Sequence, residues 1–204
     1  NKLSLLLKYN SINFNKCLVV IDKNVPKKYT KIILKSLNNK QKIIHLFHAS
    51  EKNKNQKSVD EILKKLLNNN FNRNDCLISV GGGITGDVSG FVSSIFKRGI
   101  KFINIPTTLL AQVDSSIGGK TGINSSHGKN LIGSFYQPNL VISDMNFLKT
   151  LPKRELTCGY GEIFKHSLIS DRKFFTYLDK NGSKILNLQS PFIEKAIFKS
   201  CKIK

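Results

Sequence analysis

An α/β fold on a parallel sheet is predicted from two observations. Short β-branched apolar runs recur at residues 17–21, 42–47, 76–80 and 101–105, each of strand length and apolar enough to be buried on both faces. Between them lie segments with apolar residues at helical spacing, joined by short links. Strand–helix–strand alternation of that kind requires parallel strands with right-handed crossovers.

The elements follow in order. The run 17–21 ends at Asp22 and reads as a buried strand. Pro26 suits a first helical turn, and Ile32, Ile33 and Leu37 keep helical spacing after it. Residues 42–47 read as a second strand. Ser58 with Glu61 makes a capping box ahead of Ile62, Leu63, Leu66 and Leu67. Residues 76–80 form a third strand that empties into Gly81, Gly82 and Gly83. A helix is expected over 84–96 and a fourth strand over 101–105, stopped by Pro106. Residues 140–143 allow one more strand. After Pro152 the pattern is helical at 154–169, 173–178 and from 193 onward. The expected organisation is a Rossmann-like domain over 1–150 and the start of an all-helical domain over 151–204. The helical pattern continues to Lys204 without a cap and the chain starts without methionine, so both ends read as cut.

Composition bounds the function classes. The chain has 204 residues, 40% hydrophobic and 23% charged, which fits a globular protein and argues against disorder. No apolar run approaches a bilayer span and no signal-peptide pattern is present, so a cytoplasmic, membrane-free protein is expected. Cys17, Cys76, Cys158 and Cys201 are scattered, with no C-x-x-C, and read as structural thiols of a reducing compartment. The net charge of +20 suggests nucleic acid. Yet lysine supplies 29 of the 33 basic residues, spread along the chain, while alanine appears three times. That is the signature of AT-biased codons, and a solvated lysine surface explains it without a nucleic-acid partner. A nucleic-acid or anion-binding protein remains the alternative from a different class, and steep weakening of binding with salt would distinguish it.

Two segments carry chemistry. In 80–87, VGGGITGD, a strand runs into glycines and then a helix. Glycine lets a phosphate approach the backbone, and a helix N-terminus offers free N–H groups and partial positive charge. In 106–122, PTTLLAQVDSSIGGKTG, the Gly119-Lys120-Thr121 triplet invites a P-loop reading. That reading fails, because Asp114 stands where the first P-loop glycine belongs and no strand precedes. A polar loop bearing Asp114, Lys120, Lys129 and Asn130 is expected, with lysines for anionic oxygens and a carboxylate for hydroxyls.

From residue 81 to 179 the chain resembles the 3-dehydroquinate synthase family. The resemblance rests on GGGITGDVSGF, KRGIKFINIPTTLLAQVDSSIGGKTGIN, GKNLIGSFYQPNLVISD, FLKTLPKREL and CGYGEIFKHSLISD, with weaker matches at Asp22 and residues 51–54. It implies NAD bound between two domains and a divalent metal, zinc or cobalt. Asp22, Glu51 and Lys54 would lie near the adenosine ribose. Gly82, Gly83, Ile84, Thr85, Gly86 and Asp87 would follow the pyrophosphate. Thr107, Thr108, Lys120 and Lys129 would continue the cofactor shell, closed by Phe147, Leu148, Lys149, Thr150, Leu151 and Glu155. Asp114, Lys120, Asn130 and Lys165 would face a sugar-phosphate substrate, 3-deoxy-D-arabino-heptulosonate 7-phosphate. Arg98 would reach the phosphate from the neighbouring subunit of a homodimer. Glu162 would be one metal ligand, with two histidines expected downstream of Lys204. The resemblance spans only part of the family's length. Related sugar-phosphate cyclases of the 2-deoxy-scyllo-inosose synthase type, or polyol dehydrogenases on the same scaffold, are the alternatives.

Other residues take plainer readings. Phe91, Phe96, Phe102 and Leu109 are expected in the core. His45 and His48 read as structural or surface, and His127 as a solvated turn residue. His166 shares a helical face with Glu162 at i, i+4 and is expected behind the metal rather than on it.

Overall fold

The computed structural model describes residues 2–37 and 39–204. The first four strands are β1 (Lys16–Asp22), β2 (Gln41–Phe47), β3 (Cys76–Gly81) and β4 (Lys101–Pro106). With β7 (Leu140–Val141) they make a five-stranded parallel sheet in the order β2-β1-β3-β4-β7. The helices α1 (Lys2–Tyr9), α2 (Lys27–Ser36), α3 (Gln56–Asn68) and α4 (Gly83–Ile95) flank it.

Period-2 alternation divides the sheet's side chains between two cores. Cys17, Val19, Ile21, Ile78, Val80 and Ile103 face α1 and α2, where Leu3, Leu7, Ile33 and Leu37 meet them. Leu18, Val20, Leu77 and Phe102 face α3 and α4 and pack on Val59, Ile62, Leu66, Val88 and Val92. Phe91, Phe96, Phe102 and Leu109 are all buried, as expected. β1 and β3 are covered on both faces, whereas β2 is an edge strand with Leu46 60% exposed.

The order has a functional consequence. From β1 the chain steps outward to β2 and then returns to β3 on the other side of β1. The connections therefore diverge between the carboxyl ends of β1 and β3, and such a switch point opens a crevice there. Asp22 and Gly81 are the residues at those two ends.

Past β4 a π-helical turn (Ala111–Ser115) leads into an antiparallel hairpin, β5 (Lys120–Ser125) and β6 (Gly128–Phe135). A 3₁₀ segment (Met145–Thr150) precedes α5 (Lys153–Ser170), α6 (Arg172–Leu186) and α7 (Phe192–Ile203). These helices share a third core built on Ile163, Phe174, Leu178, Ile185 and Ile193, which Leu109, Val113 and Leu148 join to the sheet.

Three local expectations are corrected. Ser58 is not the N-cap of α3. Asn55 is, its side chain accepting the Ser58 N–H at 3.0 Å, and Ser58 lies buried within the helix. Lys120, Lys129 and Asn130, expected on a polar loop with Asp114, stand on the hairpin. The strand expected over 140–143 pairs only at Leu140 and Val141. The sequence reading also assigned no element to α1.

Candidate functional site

The crevice at the switch point is a cleft of about 710 Å³. β1 brings Asp22 to it, and the turn after β3 brings Gly82, Gly83 and Ile84. Thr107 and Thr108 enter from the end of β4, and Phe147, Thr150, Leu151 and Glu155 from the helical side. Ten residues expected to hold the cofactor thus line one cavity.

Bare backbone forms the glycine wall for a packing reason. A Cβ on Gly82 would stand 3.2 Å from Thr108 Cγ2, and one on Gly83 would stand 2.9 Å from Ser115 Oγ. Gly82 is the N-cap of α4, and the first intrahelical bond runs from the Gly86 N–H to the Gly82 carbonyl. The N–H groups of the first turn are left for an anion, with the positive end of the helix dipole behind them. Asp22 accepts the Asn24 N–H at 3.0 Å, and burial pushes its carboxyl above the usual range. This cleft combines an anion cradle with carboxylate acceptors for hydroxyls, which fits a dinucleotide.

A second cavity of about 560 Å³ lies on the hairpin side, lined among others by Asp87, Asp114, Lys120, Asn130 and Lys204. The π-helical turn presents Asp114, β5 opens on Lys120 and β6 carries Asn130. Lys204 pairs with Asp114. Burial raises the Asp87 carboxyl above its ordinary range, opposed by the Lys54 ammonium. Lys54 does not line the 710 Å³ cleft but lies behind Asp87, buried, with Nζ also 2.6 Å from Asn130 Oδ1. Glu51 is exposed and pairs with Lys129 at 3.3 Å, and a hydrogen bond from Asn124 holds its carboxyl below the usual range.

Between the cavity and the helices, Asp114, Glu162 and His166 offer ligand atoms all within 4.8 Å of one another. Glu162 Oε1 is enclosed. It lies 3.1 Å from His166 Nε2 and against Lys165, whose ammonium it holds more firmly protonated than usual. His166 is buried, with Nδ1 2.7 Å from Ser200 Oγ. Two carboxylates and an imidazole grouped this closely are a donor set that fits a divalent ion such as zinc.

Some expected residues lie apart. Arg98 is exposed in the turn after α4 and lines neither cavity. Thr85 and Gly86 are buried in α4 beneath the glycine turn, and Leu148 is buried in the third core. Lys149 is exposed. His127 is exposed in the hairpin turn, as expected. Of the cysteines, Cys17 and Cys76 are buried while Cys158 is exposed. Sequence reasoning missed Asn124, Ser115 and Ser200. Asn124 and Ser115 stand inside the recognised segments, but no signal marks Ser200 before the helices pack.

The family model described as 3-dehydroquinate synthase N-terminal matches residues 44–158, and the one described as 3-dehydroquinate synthase C-terminal matches residues 159–204. A 3-dehydroquinate synthase of Pelagibacter ubique is 69% identical over 203 residues, 100% of this chain and 55% of that protein. One from Alkaliphilus metalliredigens is 45% identical, over 93% of this chain and 53% of its own length. The chain therefore spans about half the length of the curated relatives it matches. Among solved structures, a 2-epi-5-epi-valiolone synthase from Streptomyces hygroscopicus with bound NAD+ and Zn2+ superposes with a TM-score of 0.87 at 27% identity, covering 93% of this chain and 54% of that one. A 2-deoxy-scyllo-inosose synthase with NAD+ and Co2+ gives 0.76 at 29% identity, covering 82% and 46%. Among the described residues no helix is long and apolar enough to cross a membrane.

Proposed function

Because this chain belongs to the 3-dehydroquinate synthase family, we propose that the complete protein cyclises 3-deoxy-D-arabino-heptulosonate 7-phosphate to 3-dehydroquinate with release of phosphate. The observation that carries this reading is the presence, in one chain, of the glycine-walled cleft and of an Asp/Lys/Asn cavity whose Asp114 groups with Glu162 and His166. NAD, when bound, supplies reversible hydride transfer, and a divalent ion supplies polarisation of a substrate oxygen.

The chain's own residues have the following parts. The first-turn N–H groups of α4 bind the pyrophosphate, and Asp22 accepts from a ribose hydroxyl. Asp87, Thr107, Thr108, Phe147, Thr150, Leu151 and Glu155 surround the remainder of the dinucleotide. Lys120 and Asn130 hold anionic and hydroxyl oxygens of the sugar phosphate, which keeps a flexible substrate in one conformation. Asp114 orients a substrate hydroxyl, and Lys165 adds positive charge beside Glu162. Glu162 is the metal ligand that residues 151–204, the opening of the helical domain, contribute. Arg98 serves the phosphate of a neighbouring subunit in a cytoplasmic homodimer. No role is assigned to nucleic acid or membrane.

The test is turnover by the full-length protein with a trace of NAD and saturating sugar phosphate. Phosphate and 3-dehydroquinate should accumulate far beyond the NAD supplied. Stoichiometric NADH formation would make the protein a dehydrogenase on this scaffold, and a different carbocyclic product would make it another cyclase.

A further inference from the structure

Tyr29 does not line the cleft of about 710 Å³, yet it touches both sides of it. On the β1 side, its N–H donates to the Pro26 carbonyl at 2.9 Å, and Pro26 lines the cleft beside Asp22 and Val25. On the helical side, its hydroxyl donates to the Asn146 carbonyl at 2.5 Å. Its ring also meets that of Phe147 edge-on, with centroids 5.0 Å apart and planes at 65°. Phe147 lines the cleft and belongs to the 3₁₀ segment Met145–Thr150 that precedes α5. We infer that Tyr29 is a positioning residue that sets the opening of this cleft, by tying the 3₁₀ segment to the start of α2 so that Phe147 stands at a fixed distance from Pro26. This rests on the proposed assignment of the cleft to NAD.

The 3₁₀ segment is weakly held by its own bonds, because 3₁₀ hydrogen bonds have poorer geometry than α-helical ones. It is anchored at its start. Asp144 Oδ1 accepts the Asn146 N–H at 2.9 Å, and the Asp144 carbonyl accepts from Gln112 Nε2 at 3.2 Å. Beyond Asp144, Tyr29 supplies the tie to α2. Tyrosine suits this task, since a stiff ring gives apolar contact and the hydroxyl at its tip gives direction. The other end of the tie is also fixed. Pro26 caps α2 with φ −56°, a value its ring locks, and Ile33 and Leu37 seat that helix in the core. For the 3₁₀ segment to swing away from the β1 side, the hydroxyl bond must break and the two rings must part. A dinucleotide in the cleft escapes less often while the tie holds, so Tyr29 acts on dissociation more than on capture.

The experiment uses the full-length protein and has two arms. The first needs no ligand and follows hydrogen exchange at the Asn146, Phe147 and Leu151 amides, each of which is bonded within the segment or to Asp144. Tyr29→Phe keeps the ring contact and loses only the hydroxyl bond, so it should fold. Exchange at these amides should quicken about threefold to tenfold, the ordinary net contribution of one hydrogen bond, while the amides of α3 stay as they were. The second arm measures NAD dissociation by stopped flow. The dissociation rate should rise by a similar factor in Tyr29→Phe and further in Tyr29→Ala, with association little changed. Ile33→Val, on the same helix and in the same core, is the control: it should lower the melting temperature and leave NAD dissociation unaltered. Unchanged exchange in Tyr29→Phe would overturn the proposal, and so would faster exchange with unchanged NAD dissociation in both Tyr29 variants. Equal acceleration in Ile33→Val would reduce Tyr29 to a stabilising residue. A wild type that binds no NAD would refute the cofactor reading instead, and the exchange arm would then decide the tie by itself.

Discussion

Glu162 and His166 stand one turn apart on α5, Oε1 3.1 Å from Nε2, and Ser200 closes the far side of the imidazole at 2.7 Å. An ionised carboxylate only accepts, so the tautomer that suits this contact has the proton on Nε2, with Nδ1 accepting from the Ser200 hydroxyl. In that tautomer the ring has no lone pair free for an ion. We propose that His166 orients Glu162 and that Glu162 is the ligand. Glu162→Ala should strip the ion, while His166→Phe should keep it with affinity weakened by about 10–100-fold, the usual cost of an outer-shell partner. Metal content and competitive chelation measure both. Equal loss in the two variants would make His166 a ligand.

Lys120 opens β5 at the mouth of the second cavity, exposed and away from the glycine turn. Lys120→Ala should raise the substrate Michaelis constant at least about tenfold, since a hydrogen bond to a charged group contributes roughly 1.5–3 kcal/mol. NAD affinity should stay within about threefold. Steady-state kinetics with a parallel NAD titration separates the two, and an unchanged Michaelis constant and rate would remove Lys120 from the site.

Asp22 opposes stability to function. Burial is the main cause of its raised pKa, and the Asn24 N–H only partly offsets it. A carboxyl whose folded pKa is raised destabilises the fold when ionised. That cost is absent below the unfolded pKa and fully present above the folded one. Asn at this position still accepts the Asn24 N–H. Asp22→Asn should therefore raise the melting temperature of the unliganded protein at neutral pH, with the gain vanishing under acidic conditions. NAD affinity should fall by about tenfold. A melting temperature lowered equally at both pH values would contradict the sign.

What was legible in the sequence was the part that is buried. β1, β3 and β4 are covered on both faces, so their apolar runs declare them. The β5–β6 hairpin hid because most of β6 is exposed and its glycines mimic a loop. Those glycines serve the pairing instead: a Cβ on Gly133 would stand 2.1 Å from the Thr121 carbonyl oxygen. The start of α3 was misread because Asn55 and Ser58 both offer a cap, and only the fold decides which is used. In the site, motif order marked Gly82, Asp114, Lys120 and Glu162 as candidates. The tie from Lys54 to Asn130 spans 76 residues, and that from His166 to Ser200 spans 34. Contacts at such separations arise from packing and have no local pattern.

Gly159 sets the distance between the helical segment and the sheet. It sits on α5 where a Cβ would lie 2.6 Å from Leu109 Cβ and 2.7 Å from the Leu110 backbone nitrogen. Backbone cannot yield as a flexible side chain can, so Gly159→Ala must push α5 outward. Alanine's better helix propensity, worth about 1 kcal/mol, works in the opposite direction. Overpacking a tight core contact costs typically 1–3 kcal/mol, and at these separations it should prevail. The displacement would act at both sites together, because Thr107 and Thr108 lead into Leu109 and Glu162 follows Gly159 by three residues on the same helix. Gly159→Ala should therefore lower the melting temperature and weaken NAD and metal binding in parallel. Chemical denaturation and the two titrations measure this. Stabilisation with both affinities intact would mean that helix propensity outweighs the contact and that α5 has room to spare.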